Sequence, residues 1–178
     1  MEFEKVIQRR FSCRSFSKTK SVSPELLEKM IKLCQKAPSA GNLQAFRVIA
    51  VRNPETKNQL AKAAYGQYFL ADAPVVIVIS AAPTLSERRY GERGKNLYSI
   101  QDATIFAAYI ELICSNFGLG SVWIGAFSES QVINILKSQV SPQYIEKPIA
   151  LIGIGYCNKE PSMYTSRIKT NDLICFIE

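Results

Sequence analysis

Residues 9–16 read Arg-Arg-Phe-Ser-Cys-Arg-Ser-Phe, and residues 37–44 read Ala-Pro-Ser-Ala-Gly-Asn-Leu-Gln. The first stretch sets Arg10, Ser12 and Arg14 on alternate positions, and in extended backbone side chains two apart point the same way. The second is rich in turn formers and holds two carboxamides, Asn42 and Gln44. Two cations with a hydroxyl suit a phosphate, and paired amides suit the donor–acceptor edge of a planar heterocycle. The ligand these segments point to is a phosphorylated heterocyclic cofactor.

The rest of the composition narrows the chemistry. There is no histidine, which removes Ser-His-Asp and Cys-His nucleophiles and any histidine base. Chemistry carried by a bound cofactor remains. The five cysteines, Cys13, Cys34, Cys114, Cys157 and Cys175, are scattered and never fall at C-x-x-C spacing. They read as core residues, with neither a disulfide framework nor a metal site.

A net charge of +7 favours anionic partners. The cations are dispersed and no nucleic-acid motif accompanies them, so the expected partner is a phosphate-bearing small molecule rather than nucleic acid. The apolar run at 74–83 is about half the length of a membrane span and reads as a buried strand, so no membrane partner is expected. Met1 to Lys5 lacks the layout of a secretion signal, which gives a cytoplasmic expectation. With 178 residues, 47% of them hydrophobic and 21% charged, the chain reads as one domain over 1–178.

Helices are expected over 2–10, from the Ser23-Pro24 cap to Pro38, over 54–64, over 100–117 and from Ser128 to Lys137. Strands are expected at 46–51, 75–80, 121–127 and 149–156. The charged stretch 83–98 reads as a surface loop, and Ser99 with Asp102 as a capping box. Strands and helices alternate through connections of uneven length, which fits an α+β (α/β layered) sandwich better than a barrel. Gly118-Leu119-Gly120 and Gly153-Ile154-Gly155 do not read as dinucleotide loops, because neither stands between a strand and a following helix. Arg167 and Lys169 form a second cationic pair, far along the chain from Arg10. Gly125 interrupts a strand, as a glycine does where a ligand or another backbone comes close.

Taken in order, several segments resemble the FMN-dependent nitroreductase family. They are Arg10-Phe11-Ser12 with Arg14 and Phe16, Ala37 to Gln44, Gln67 ahead of Ala73-Pro74-Val75-Val76, Asp102 in its alanine-rich helix, Gly118 to Gly125, and Gly153 to Tyr156 followed by Arg167. The chain departs from the family pattern at Ala45-Phe46, where Pro-Trp is common, and it is short for the family.

The resemblance implies a homodimer with a central, mainly antiparallel sheet flanked by helices, and an active site at the dimer interface. It implies FMN as cofactor and NAD(P)H as co-substrate. Arg10 and Ser12, with Arg167 and Lys169, would meet the phosphate and ribityl chain, and Phe11 would belong to the cofactor site. Arg14 would stand near the pyrimidine side of the ring and Gln67 at its edge. The backbone of Ile124 and Gly125 would donate to flavin N5 and O4. Pro38, Ser39, Ala40, Asn42 and Gln44 would line the flavin held mainly by the other subunit. The implied reaction is ping-pong: hydride from NAD(P)H to the flavin, then reduction of a small electron-poor acceptor such as a nitroaromatic or quinone. Dehalogenation, azoline oxidation or flavin fragmentation on the same scaffold, and a non-catalytic flavin- or nucleotide-binding sensor, stand as alternatives.

Overall fold

The strand Val75–Ala81 (β2) is buried along its whole length because both of its faces are covered. Its odd-numbered residues Val75, Ile77, Ile79 and Ala81 join one apolar cluster, and Val76 and Val78 join another. A strand that buries both faces reads as a continuous apolar run instead of an alternating one, which is the pattern of 75–79.

The computed structural model describes residues 2–159 and 165–177. Among these, β2 pairs with Phe46–Val51 (β1) on one side and Lys147–Gly155 (β4) on the other, and β4 pairs in turn with Gly120–Ile124 (β3). Every pairing is antiparallel and the order is β1-β2-β4-β3. The expected layered α+β sandwich with an antiparallel sheet is therefore the fold observed. Gly120 pairs with Gly155 and Ile124 with Leu151.

Helices Pro24–Cys34 (α2) and Ser99–Asn116 (α6) cover the first face, burying Leu27, Met30 and Cys34 together with Phe106, Ala107 and Ile110. Pro54–Ala63 (α3), Phe69–Asp72 (α4) and Glu129–Leu136 (α7) cover the second. Local chemistry sets where these helices begin. Pro follows the cap in α2 and α3, and the side chains of Ser23, Asn53 and Ser128 accept the N–H of Leu26, Thr56 and Gln131.

Three expectations need correction. Residues 83–98 are not a loop. Pro83–Arg93 is helical and a π-type turn at Gly94–Tyr98 carries it into α6. The stretch is polar because most of its side chains face water, with Glu87 and Lys95 paired at 3.1 Å.

Ser99 and Asp102 do not cap α6, since the helical backbone already runs through Tyr98. The Ser99 hydroxyl donates to the Lys95 carbonyl at 2.8 Å, and Asp102 is used elsewhere. Third, the cysteines are not all isolated core residues: Cys13 and Cys157 form a disulfide across 144 positions. Cys34 and Cys114 are buried as expected, whereas Cys175 is exposed in the tail, and burial pushes the Cys34 thiol up to about 12.

A helical window within 83–116 is long and apolar enough to cross a membrane by composition alone. In the fold it is a core helix, with Ala103, Phe106, Ala107, Ile110 and Cys114 against the sheet.

Candidate flavin site

Residues 10–17 run alongside the sheet as an extended segment. Ser12 makes a parallel bridge with Ser121 of β3, and the Cys13 N–H donates to the Ser121 carbonyl at 2.8 Å. Further on, Phe16 bridges Cys157 and the Ser17 N–H donates to Tyr156. In this extended run Cys13 and Phe16 turn inward, while Ser12 and Arg14 are exposed.

Phe11 packs with Cys13, Phe16 and Val122. The Arg14 guanidinium lies over Phe69 of α4, 6.0 Å from the ring centre, a placement that orients it while leaving its donors available. Arg10 is half-buried, with Nη1 3.9 Å from Glu111 Oε1 on α6. That same oxygen accepts the Ser121 hydroxyl at 3.4 Å. Burial pushes the Glu111 carboxyl above its ordinary value, against the opposing pull of Arg10 and Ser121.

Gln67 closes the second corner of this region. Its amide nitrogen donates to Ala64 at 3.0 Å and to Ala126 at 3.3 Å, which ties the turn after α3 to the loop that follows β3. Ile124 is buried at the end of β3, and Gly125 beside it is exposed. A Cβ at Gly125 would meet only the Trp123 ring, nearest at its nitrogen 3.4 Å away. The protein's own packing therefore does not demand glycine there, and a side chain would instead fill open space. Gly120 is the opposite case, since a Cβ there would run into Cys157 Sγ and lie 2.7 Å from Cys13 Cβ.

The turn at 39–44 sits elsewhere, on α6. Pro38, Ser39 and Ala40 line a cavity of about 530 Å³ with Tyr98, Gln101 and Ile105. The turn carries positive φ at Gly41, Asn42 and Gln44, a run that persists only where surrounding bonds enforce it. Asp102, 2% exposed, supplies them: one carboxylate oxygen accepts the Ala40 N–H at 2.8 Å and the other the Ala45 N–H at 3.3 Å. The Ser39 hydroxyl accepts the Gln44 N–H at 3.0 Å.

The expected site residues thus fall into two groups within one chain. Arg10, Phe11, Ser12 and Arg14 lie along β3, the strand that leads to Ile124 and Gly125, and Gln67 is tied to the loop after it. Pro38 to Gln44 are held on α6. Arg167 and Lys169 are exposed in the tail, where Arg167 donates to Thr165 and Ser166. The structure does not bring them against Arg10 by any contact among the described residues. Sequence reasoning missed Glu111 and Phe69 and misread Asp102. The one available signal for Asp102 was a lone carboxylate among the small and apolar residues of α6.

A family model described as the nitroreductase family matches residues 7–68 and 63–156. An Archaeoglobus fulgidus protein, provisionally named NADH dehydrogenase/NAD(P)H nitroreductase, is 30% identical over 94% of this chain and 92% of its own length. A solved FMN-dependent nitroreductase from Clostridium difficile is 28% identical with a TM-score of 0.79, covering 98% of this chain and 99% of that one. A nitroreductase-family structure from Streptococcus pneumoniae, at 24% identity, has the same fold with a TM-score of 0.86 over 99% and 100% of the two chains. Fold and relatives define the class as an oxidoreductase enzyme. The chain belongs to the nitroreductase family.

Proposed function

We propose that the protein is a flavin oxidoreductase that binds FMN along the Arg10–Arg14 segment and the end of β3. One observation carries this reading: the Ser12–Ser121 bridge lays a cationic segment beside the strand that ends at Ile124 and the open Gly125. The residues present fit the cofactor. Arginine and serine donors suit its phosphate, and the space a Gly125 side chain would occupy is left for a ring. Bound there, FMN would supply the redox chemistry, that is, acceptance of hydride from NAD(P)H and, in ping-pong order, reduction of an acceptor such as a nitroaromatic or quinone.

The chain's residues then bind and orient. Arg10 and Ser12 hold the phosphate end, and Arg167 and Lys169 add charge there from the tail. Arg14, steadied on Phe69, places a fixed positive charge where the reduced ring develops negative charge, and such preorganised charge needs no rearrangement during reaction. Gln67 positions the loop at Ala126 and so the backbone of Ile124 and Gly125.

Pro38, Ser39, Ala40, Asn42 and Gln44 serve the flavin of a second copy, which makes the homodimer part of the active site. Exposed Leu173, Ile174, Phe176 and Ile177 in the tail supply apolar surface for that copy to cover. The location in this reading is cytoplasmic.

The purified protein, reconstituted with FMN, is expected to be yellow and to bleach anaerobically on addition of NADH or NADPH. A colourless protein that takes up no FMN would remove the flavin reading. A yellow one that neither nicotinamide bleaches would leave a passive flavin binder.

A further inference from the structure

Cys157 lies just beyond β4, where the chain leaves for its tail, and its sulfur is bonded to that of Cys13. The two sulfurs are unequally reachable: Cys13 is 1% exposed, whereas Cys157 is only half-buried. Beside Cys157 lies a cavity of about 240 Å³ lined by Arg9, Lys20, Gly118, Gly120 and Tyr156. It is separate from the cavity under the 39–44 turn, and none of the described residues lining it carries a carboxylate. Lys20 stands with its ammonium 5.5 Å from the centre of the Tyr156 ring. The space equals about eight waters' share of liquid volume, enough for one small molecule.

We propose that Cys13–Cys157 is a thiol-exchange site, addressed from this cavity by a small thiol bearing carboxylates. The carboxylates seat against Lys20, and the thiolate attacks Cys157 Sγ, the sulfur that the cavity reaches. A bond forms between the incoming sulfur and Cys157 as the Cys13–Cys157 bond breaks. Cys13 leaves with the electron pair as a thiolate and takes a proton from water. A second molecule of the same thiol then displaces Cys157, so two small thiols are oxidised to their disulfide for each protein disulfide reduced.

Opening the bond does not release the segment outright. Cys13 still donates to Ser121, Ser17 to Tyr156, and the Asn158 N–H to Ser15. It does remove the covalent tie between the segment that carries Arg10, Ser12 and Arg14 and the start of the tail, leaving hydrogen bonds alone to hold them together. The consequence for the cofactor rests on the FMN reading above: a looser 10–14 segment must be ordered on binding, so the reduced protein holds FMN about fivefold more weakly.

The test uses apoprotein, mixed separately with glutathione and with cysteamine at equal thiolate concentration, acid-quenched and mapped by mass spectrometry. The expected adduct is on Cys157 with Cys13 as free thiol, formed about fivefold faster by glutathione, and Lys20→Gln narrows that gap. An adduct on Cys13, equal rates for the two thiols, or alkylation of both Cys13 and Cys157 in the air-oxidised protein would overturn the proposal. These readouts need no flavin. A separate FMN titration of oxidised and reduced protein tests the coupling. Equal affinities would remove the regulatory consequence, and binding by neither form would sink the flavin reading along with it.

Discussion

Asp102, buried within α6, accepts the backbone N–H of Ala40 at 2.8 Å, and with its second oxygen it reaches Ala45 at the far end of the same turn. One carboxylate thereby fixes both ends of a segment with three positive-φ residues inside it. Hydrogen bonds to an ionised acceptor are the strong ones, and here they offset the cost of the left-handed backbone at Asn42 and Gln44. Asp102→Ala leaves two amides without their acceptor. It is expected to cost about 2–4 kcal/mol in thermal or urea unfolding. Asp102→Asn keeps one acceptor and turns a donor toward the other amide, so it is expected to fall between wild type and alanine. Fast amide exchange at Ala45 in both variants would locate the damage, and unchanged exchange there would show that the turn holds without the carboxylate.

Two glycines on β3 and the loop that follows it separate fold from site. Gly120→Ala drives a methyl against Cys157 and Cys13, and the backbone there is already paired with Gly155. A loss of about 3 kcal/mol or more is expected, on the scale of overpacked cores. Gly125→Ala meets only ordinary contact and is expected to stay within about 0.5 kcal/mol of wild type. Its cost is expected in FMN uptake or in the rate of bleaching by NADH or NADPH. A Gly125→Ala protein with normal flavin binding and turnover would show that the ring does not lie there.

How much of this could be seen in advance depended on the range of the interaction. The strands at 46–51 and 75–80, the helix starts at Ser23 and Ser128 and the helix from Pro54 rest on neighbours a few residues away, and all were legible. The helix at 83–93 was hidden because its polar composition matches a loop. Asp102 and the Cys13–Cys157 pair act across 57 to 144 positions, so no local pattern announces them. The 10–16 and 37–44 segments stood out in the sequence by residue type and spacing. Their division between β3 and α6 required the topology.

Glu111 gives the fold a pH dependence of definite sign. Burial raises its folded-state pKa above the unfolded value. A carboxyl shifted upward favours the folded state fully below its unfolded pKa, and that contribution is lost as pH rises through the folded pKa. Glu111→Gln removes the penalty of a buried charge and is expected to raise the apoprotein's melting temperature by a few degrees at neutral pH. The gain is expected to shrink as pH falls toward the ordinary carboxylate range, where wild-type Glu111 is itself protonated. A gain independent of pH, or a loss at neutral pH, would show that the 3.9 Å pair with Arg10 outweighs desolvation.

Arg10 and Arg14 are four positions apart and are expected to fail in different ways. Arg10→Ala removes a charge-assisted contact to the flavin phosphate and is expected to weaken FMN binding by roughly 1.5–3 kcal/mol, read by titration of flavin fluorescence. Arg167→Ala is expected to act in the same direction. Arg14→Ala removes positive charge beside the ring and is expected to lower the flavin reduction potential more than it lowers affinity, read by reductive titration against a redox dye. Its guanidinium is held over Phe69, so Phe69→Leu is expected to reproduce part of the potential shift with the charge still present. An Arg14→Ala protein whose potential matches wild type would place that arginine away from the ring, whatever its effect on binding.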